Sequence, residues 1–209
     1  MVHLLRNTIR IALTVLTVSA VFASTRTGDD NKLKTYRDTQ YGVSFQYPAL
    51  WATDPEMGFY LSAQILLPGR KPLAAVGFGG SQKSKYHPYP NTNLSGVQFV
   101  YVVLPESTAE QCQHETKGEE ESDKETQEAI HGVSYHHLSS GGAGLCHQAE
   151  DQIYAAYRGG RCYLFDAAID TACPDPDEGR REITHAEINT LRNQLKQIMQ
   201  SVRIGSNKN

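Results

Sequence analysis

The sequence predicts a single α/β domain organised around a β-hairpin. Residues 146–173 contain two apolar, aromatic-rich runs joined at Gly159-Gly160, and paired glycines suit the positive φ angles of a tight hairpin turn. Residues 97–104 are dense in β-branched and aromatic side chains, as buried strands are. Residues 184–201 carry apolar side chains at helical spacing, which predicts one amphipathic helix. We call residues 146–173 the central hairpin.

The predicted elements before the central hairpin begin with a shorter hairpin. Apolar residues alternate at 43–47, after a turn at 38–40, and we expect Trp51 to be a buried core residue. Residues 57–67 are apolar enough for either a strand or a short helix, and periodicity does not separate the two. Residues 73–78 predict a short buried strand.

The two ends of the domain resemble a known family. Residues 36–51, YRDTQYGVSFQYPALW, resemble the opening of PsbP-like domains, whose first hairpin carries an aromatic-rich Gly-x-Ser/Thr-Phe-x-Tyr-Pro-x-x-Trp pattern. Residues 191–204, LRNQLKQIMQSVRI, resemble the closing helix and short last strand of such domains. The middle of the chain and the cysteines are not part of that pattern. The resemblance implies an α+β fold, with a mainly antiparallel β-sheet flanked by helices in an α/β/α sandwich. It also implies a class made mostly of non-enzymatic accessory or binding modules.

The remaining elements follow from local signals. Residues 107–108 offer Ser and Thr as caps for a short helix. Residues 131–138 predict another strand, and the glycine-rich residues 139–144 predict a turn into the central hairpin. Thr184 and Glu187 have the spacing of a capping box, which should start the last helix.

The start of the chain predicts export. Residues 1–23 combine two arginines with a 13-residue apolar run and small residues before Ser24, which is typical of a secretory signal peptide. An uncleaved anchor is the alternative, but the run is shorter than the roughly 20 residues of a membrane-spanning helix. We therefore expect a secreted or periplasmic protein without stable membrane insertion after cleavage. Its expected organisation is a signal peptide (1–23), a flexible leader (24–32), one domain (33–205) and a tail (206–209).

The charge of the chain excludes some partners. The net charge is −3, and loss of the two arginines of the signal peptide makes it −5. Such a surface does not attract phosphate backbones or anionic lipids, so we expect no nucleic-acid partner. Acids concentrate at residues 115–128, which we expect to be a solvated loop or helix face because they lack the spaced ligands of a calcium loop.

The cysteines predict two disulfides, because their number is even and they follow an export signal. They are Cys112, Cys146, Cys162 and Cys173. Three pairings are possible. If the arginines that flank the Gly-Gly turn pair, Cys146 lies opposite Cys173, and Cys112 is left for Cys162. A zinc site is disfavoured, since no two of these cysteines have the two-residue spacing of a zinc knuckle.

The register of the central hairpin has an alternative. The pairing of the flanking arginines also sets Ile169 opposite Glu150 and Asp166 opposite Ile153, which mixes apolar and polar side chains on both faces. A one-residue bulge would align the apolar residues better and would move the cysteines out of register. Both registers remain open at the level of sequence.

The candidate ligand-binding residues lie in the loop after the strand at 73–78. This long loop contains Tyr86, His87 and Tyr89 among prolines and asparagines, and long ordered loops often carry binding residues. Asn93 begins a glycosylation sequon. We expect the two tyrosines and the histidine to line a shallow recognition surface.

Histidines suggest a competing function. His136, His137 and His147 flank the glycine-rich turn, and His114 could approach from the short helix. Imidazoles suit zinc or copper, so His147 with His137 or His136 is the candidate metal site. Because His136 and His137 point to opposite faces of a strand, only one of them can join His147.

The sequence favours a binding protein over an enzyme. The glycine-rich segment lacks the Lys-Ser/Thr of a phosphate loop, and no serine stands in a nucleophile motif. Paired cysteines would not serve thiol catalysis. The predicted function is therefore an exported, non-enzymatic binding or accessory module without a cofactor, whose partner is an unidentified protein or small molecule. The alternative is a metal-dependent enzyme or metal-binding protein that uses the histidines named above.

Overall fold

The structure is a computed structural model that describes residues 32–53, 72–79, 86–117, 123–144, 146–175, 177 and 179–205. The predicted signal peptide, the leader up to residue 31, the apolar stretch at 57–67 and the tail at 206–209 lie outside these residues. Within the described ranges, no helix has both the length and the apolar character that crossing a membrane requires.

Ten β-strands and two α-helices lie within the described ranges. The strands are β1 (Leu33–Asp38), β2 (Val43–Pro48), β3 (Ala52–Thr53), β4 (Ala74–Gly79), β5 (Leu94–Leu104), β6 (Lys124–Ile130), β7 (Val133–Gly144), β8 (His147–Arg158), β9 (Arg161–Ala172) and β10 (Arg203–Ile204). The helices are α1 (Ala109–His114) and α2 (His185–Ser201).

The strands form two antiparallel sheets. The small sheet has the order β1-β2-β10, and the large sheet has the order β3-β4-β5-β9-β8-β7-β6. Every strand neighbour in both sheets is antiparallel. Helix α1 packs on one face of the large sheet, and helix α2 packs on the opposite face together with the small sheet. The predicted fold class, a mainly antiparallel sheet flanked by helices, is confirmed.

The face of the large sheet that carries helix α2 holds the main core, and we call it the α2 face. Phe165 on β9 lies fully buried at its centre, with ring centroids 5.9 Å from Phe99 and 5.3 Å from Tyr101 on β5. Phe45 of the small sheet packs edge-on against Phe99 at 5.2 Å. Trp51 is buried, as predicted from the sequence. Aromatic contacts of this kind add about 0.5–1.5 kcal/mol each to the effect of burial alone.

The opposite face, which we call the α1 face, is packed with smaller side chains. Val100, Val102 and Leu164 lie buried there, together with Cys112 of helix α1. A disulfide joins Cys112 to Cys162 on β9, with a Cα–Cα distance of 5.2 Å. Helix α1 is therefore covalently fastened to the sheet that it covers.

The central hairpin is β8 and β9, and it has no bulge. Arg158 pairs with Arg161, and the ladder continues unbroken to His147 opposite Ala172. At the open end of the hairpin a disulfide joins Cys146 to Cys173, where the Cys173 N–H also donates to the Cys146 carbonyl at 2.9 Å. The pairing of the flanking arginines is thus the register that the molecule adopts, in spite of its mixed polarity.

Two sequence predictions differ from the structure. The glycine-rich residues 139–144 do not form a turn, because β7 runs through them and pairs with β8 as far as Gly144 opposite His147. Glycine still offers its N–H and C=O groups to a ladder, so strand pairing on one side is enough to extend these residues. Part of the acidic run forms a strand rather than a loop or helix, since residues 124–130 are the edge strand β6. Exposed charges on such a strand discourage pairing with another chain.

Candidate functional site

A groove runs along helix α2 where the large sheet extends beyond the small one. One wall is the helix, and the floor and the other wall come from strands β6 to β9. The groove has two lobes that share Glu150, Ile169 and Arg192 as lining residues. The lobe beside the C-terminal half of α2 measures about 300 Å³, and the lobe beside its N-terminal end measures about 400 Å³. Small-molecule sites in proteins usually measure about 300–1,000 Å³.

Helix α2 is held in place at its first turn. Thr184 caps it, and the Glu187 N–H donates to Thr184 Oγ1 at 3.3 Å while the Thr184 N–H donates to Glu187 Oε2 at 2.9 Å. The guanidinium of Arg181 donates to both carboxylate oxygens of Glu187, at 2.7 and 2.9 Å. These hydrogen bonds, with that of Arg181 first, lower the pKa of Glu187 to about 2. The predicted capping box is therefore present and carries a charge.

The C-terminal lobe has an apolar lining with charged groups at its rim. Buried side chains from the sheet and the helix line it, and these are Tyr154, Ala167, Ile169, Leu195 and Met199. Glu128 and Lys196 are charged residues that also line this lobe. Burial, with the nearby charge of Glu128, raises the pKa of Tyr154 to about 12, so its phenol stays protonated at neutral pH. The lobe suits an apolar group with a polar end.

His137 lies in this lobe but is fully occupied. Its ring stacks on Tyr154 with centroids 4.3 Å apart and planes inclined by 10°. The side-chain N–H of Gln152 donates to Ser139 Oγ at 2.8 Å, which leaves Gln152 Oε1 facing His137 Nε2. The His137 Nε2–H then donates to Gln152 Oε1 at 2.9 Å. The Thr126 hydroxyl then donates to His137 Nδ1 at 3.0 Å. Both ring nitrogens therefore have partners, and neither is free for a metal ion.

An ion pair lies where the two lobes meet. Arg192 on α2 donates to Glu150 on β8 through Nη2 at 2.6 Å and through Nε at 2.8 Å. This bond to Glu150 raises the pKa of Arg192, and both side chains are partly exposed. Exposed pairs of this kind contribute about 0–1 kcal/mol. The pair can therefore be exchanged for contacts with a ligand at little cost in stability.

The N-terminal lobe is built on a buried asparagine and a glycine. Asn93 donates from Nδ2 to the Ala172 carbonyl at 2.8 Å and accepts from the Ile183 N–H at 2.7 Å, so it ties β5 to the segment before α2. Its amide nitrogen is thus engaged in the folded chain. Gly141 faces this lobe opposite Glu150, and its missing side chain leaves the space open.

The predicted ligand-binding residues are half-buried against the core. The Tyr86 and His87 rings both meet the Phe78 ring with centroids 5.6 Å apart. His87 Nε2 lies 3.3 Å from the Leu94 carbonyl, and Tyr89 packs against the same core. These contacts direct the three rings inward. That they bind a ligand stays a prediction.

The structure does not bring the candidate metal-ligating histidines together. On β8, His147 is seven residues from Tyr154, and Tyr154 pairs with His137 on β7. Seven residues of strand span roughly 23 Å, so His147 and His137 lie far apart. His136 lies opposite Ala155 on the α1 face, and His114 is exposed at the end of α1. The glycine-rich strand separates these histidines, because it extends where a turn was predicted. In the described ranges, no three His, Cys, Asp or Glu side chains are placed to hold a metal ion.

Three buried polar residues on the α1 face escaped the sequence analysis as candidates. They are Gln98, Asp151 and Asp166. Burial, and then the charge of Asp151, raise the pKa of Asp166 well above its usual range. The signal was present in the sequence: the correct hairpin register sets Asp166 opposite Ile153, and this mixture of polarity marks an acid forced into the core.

Comparison with solved structures finds several matches at low sequence identity. Cyanobacterial PsbP from Synechocystis is 14% identical, with a TM-score of 0.42, over 83% of this chain and 92% of that chain. The Ran-binding protein Mog1p of Saccharomyces cerevisiae is 6% identical, with a TM-score of 0.43, over 84% and 96%. LpqN of Mycobacterium tuberculosis, involved in cell envelope biogenesis, is 13% identical, with a TM-score of 0.44, over 84% and 92%.

PsbP, the family that the two ends of the domain resemble in sequence, is among these structures. No protein-family model matches the chain. No curated protein matches it.

Proposed function

We propose that this protein is an exported, non-enzymatic binding module that holds a small amphipathic ligand in the groove beside helix α2. The observation that carries the proposal is the C-terminal lobe, a cavity of about 300 Å³ with an apolar lining and a charged rim. A lobe of this kind favours an apolar body with one polar end.

Lys196 indicates which charge the polar end of the ligand should carry. This side chain is exposed on α2, lines the C-terminal lobe and has no ion-pair partner among the described residues. Arg192, the other cation of the groove, is already paired with Glu150. We therefore expect an anionic group at Lys196 and an apolar body over Tyr154 and Leu195.

Export is supported by the covalent frame. All four cysteines are paired and no free cysteine is left. Disulfides persist in oxidising compartments, so a secreted or periplasmic location fits this frame. The sign of the net charge, −3 for the whole chain, disfavours nucleic acid as the partner.

Anilinonaphthalene sulfonate tests this proposal, because it combines an apolar aromatic body with one anionic group. We expect its fluorescence titration to show one site, and Lys196→Glu to weaken binding about tenfold, which corresponds to about 1.4 kcal/mol. Lys117→Glu is the matched control, since Lys117 is an exposed lysine beside helix α1 and lies outside the groove. Equal binding by both variants, or binding that accompanies loss of near-ultraviolet circular dichroism, would contradict the proposal.

A second pair of variants tests the N-terminal lobe. Gly141→Phe places a ring in the lobe, and its Cβ meets only the Ala149 carbonyl at 3.6 Å, an ordinary contact. Gly144→Phe is the matched control on the same strand, because Gly144 lines neither lobe and a Cβ there meets nothing within 4 Å. We expect Gly141→Phe to weaken binding of a probe with a longer apolar body, such as a dansylated fatty acid, and Gly144→Phe to leave it unchanged. The opposite order would place the ligand elsewhere.

A further inference from the structure

Two basic residues of helix α2 line the groove, and only one of them has an acid in reach. Arg192 and Lys196 are four residues apart, so they lie on the same side of the helix, one turn from each other. Arg192 forms an ion pair with Glu150 on β8, with Nη2 2.6 Å from Oε2. Lys196 lines the C-terminal lobe together with Glu128 on β6.

This second pair of opposite charges stays apart. Lys196 and Glu128 form no ion pair with each other or with any other residue in the described part of the chain. Lys196 is exposed and Glu128 is half-buried. A carboxylate that has lost part of its hydration favours a cation beside it. The C-terminal lobe therefore borders on one positive and one negative group, neither of which the folded chain neutralises by an ion pair.

Glu128 faces the floor of this lobe. It pairs with Tyr135 across the β6–β7 ladder, and Tyr135 lies buried in the core of the α2 face. Directly paired residues point to the same face of a sheet. Burial, with the nearby charge of Glu128, raises the pKa of Tyr154, which lines the lobe. The carboxylate thus lies close to an apolar surface that a ligand can cover.

The size of the lobe limits the ligand. Its volume is about 300 Å³, at the lower end of the range of about 300–1,000 Å³ for small-molecule sites. Leu195 and Met199 of the helix and Ile169 of the sheet are buried side chains that line it. A cavity of this size and lining suits one compact apolar group, such as an aromatic ring, rather than a long lipid tail.

We propose that the C-terminal lobe binds a zwitterion of amino-acid size, with its carboxylate at Lys196, its ammonium at Glu128 and a large apolar side chain over the floor. The ammonium is an addition to the proposed function, on which this assignment rests. A ligand with an anionic group alone would bring a second negative charge to the lobe and leave Glu128 without a partner. Glu128 therefore selects for zwitterions and against simple anions of the same shape.

Calorimetric titration of the full chain with three indole compounds tests the proposal. L-Tryptophan carries both charges, 3-indolepropionate lacks the ammonium, and tryptamine lacks the carboxylate. We expect the wild type to bind tryptophan about tenfold more tightly than either of the others, because each of them loses one charged hydrogen bond.

Glu128→Gln tests the role of the acid and keeps its shape. We expect it to weaken binding of tryptophan about tenfold and to strengthen binding of 3-indolepropionate, so that the preference for the ammonium disappears. Glu125→Gln is the matched control, since Glu125 is three residues earlier on β6, points to the opposite face and lines neither lobe. This control should keep the preference of the wild type.

The ligand series on the wild type decides the matter even if Glu128→Gln folds poorly. Equal binding of tryptophan and 3-indolepropionate, or no binding of any indole compound, would overturn the proposal. A preference for tryptophan that Glu128→Gln retains would also overturn it, since another group would then recognise the ammonium. Binding of anilinonaphthalene sulfonate that depends on Lys196 would leave the proposed function standing in each of these cases, and its absence would remove both.

Discussion

The two faces of the large sheet are stabilised in different ways. The α2 face is packed with aromatic rings around Phe165 and is covered by the small sheet and helix α2. The α1 face holds smaller side chains, a disulfide to helix α1 and the buried acids Asp151 and Asp166. Apolar packing dominates one face, whereas the other also contains a covalent link and buried polar groups.

The largest effect should come from truncating adjacent residues of β9 that point to opposite faces. Phe165 and Leu164 are both fully buried. We expect Phe165→Ala to lower the free energy of unfolding by about 4 kcal/mol and Leu164→Ala to lower it by about 3 kcal/mol. The difference reflects the ring contacts of Phe165 with Phe99 and Tyr101. Equilibrium unfolding in urea measures both values, and an equal or larger cost for Leu164→Ala would remove the contrast between the faces.

The disulfides should have an effect of similar size. Cys112 and Cys162 are 50 residues apart, whereas Cys146 and Cys173 are 27 apart. Replacing the first pair with alanine should cost about 4 kcal/mol, and replacing the second about 3.5 kcal/mol, from the entropy of the unfolded chain. Burial of the first pair on the α1 face adds the cost of a cavity. Chemical unfolding of the two double variants measures the order, and a larger loss for the hairpin pair would show that helix α1 needs no covalent link.

The smallest effect concerns the caps of the two helices. Glu187 in the cap of α2 titrates, whereas its counterpart in the cap of α1, Gln111, does not. The pKa of Glu187 is lowered to about 2, so its contribution to stability is present above its ordinary pKa and is lost as the pH falls towards 2. At pH 7, Glu187→Gln should cost about 1 kcal/mol.

The pH dependence separates the two caps. The stability of Glu187→Gln should approach that of the wild type between about pH 5 and pH 2, while the cost of Gln111→Ala should stay constant over the same range. Urea unfolding at several pH values measures both differences. A cost for Glu187→Gln that does not change with pH would mean that the bond to Arg181 contributes nothing as a charged pair.

Much of the fold could be predicted from short-range patterns. The Gly-Gly turn located the central hairpin, and the pairing of the arginines beside it, one of the two registers left open, gives the two pairs of cysteines that the structure joins. The capping box of Thr184 and Glu187 placed the start of α2. Each of these signals acts over a few residues, so neighbours in the chain are enough to express it.

The candidate sites were harder to predict. The glycine-rich residues 139–144 have the composition of a turn, but pairing with β8 extends them and carries His137 away from His147. The rings of Tyr86 and His87 pack on Phe78, a contact that no local pattern announces. Composition indicates the conformation that a segment favours by itself. The conformation of these segments is set instead by the strands and side chains with which they pair and pack.

The sequence by itself determined most of the elements, because turn chemistry and side-chain periodicity act locally. It left open the register of the central hairpin, and with it the pairing of the cysteines. Only the tertiary structure decided the groove between α2 and the sheet and the burial of Gln98, Asp151 and Asp166. Both depend on which strands become neighbours. Strand β5 pairs with β9 although paired residues are 58 to 77 positions apart, from Leu104 with Cys162 to Leu94 with Thr171, and such long-range pairing is set by the packing of the whole core.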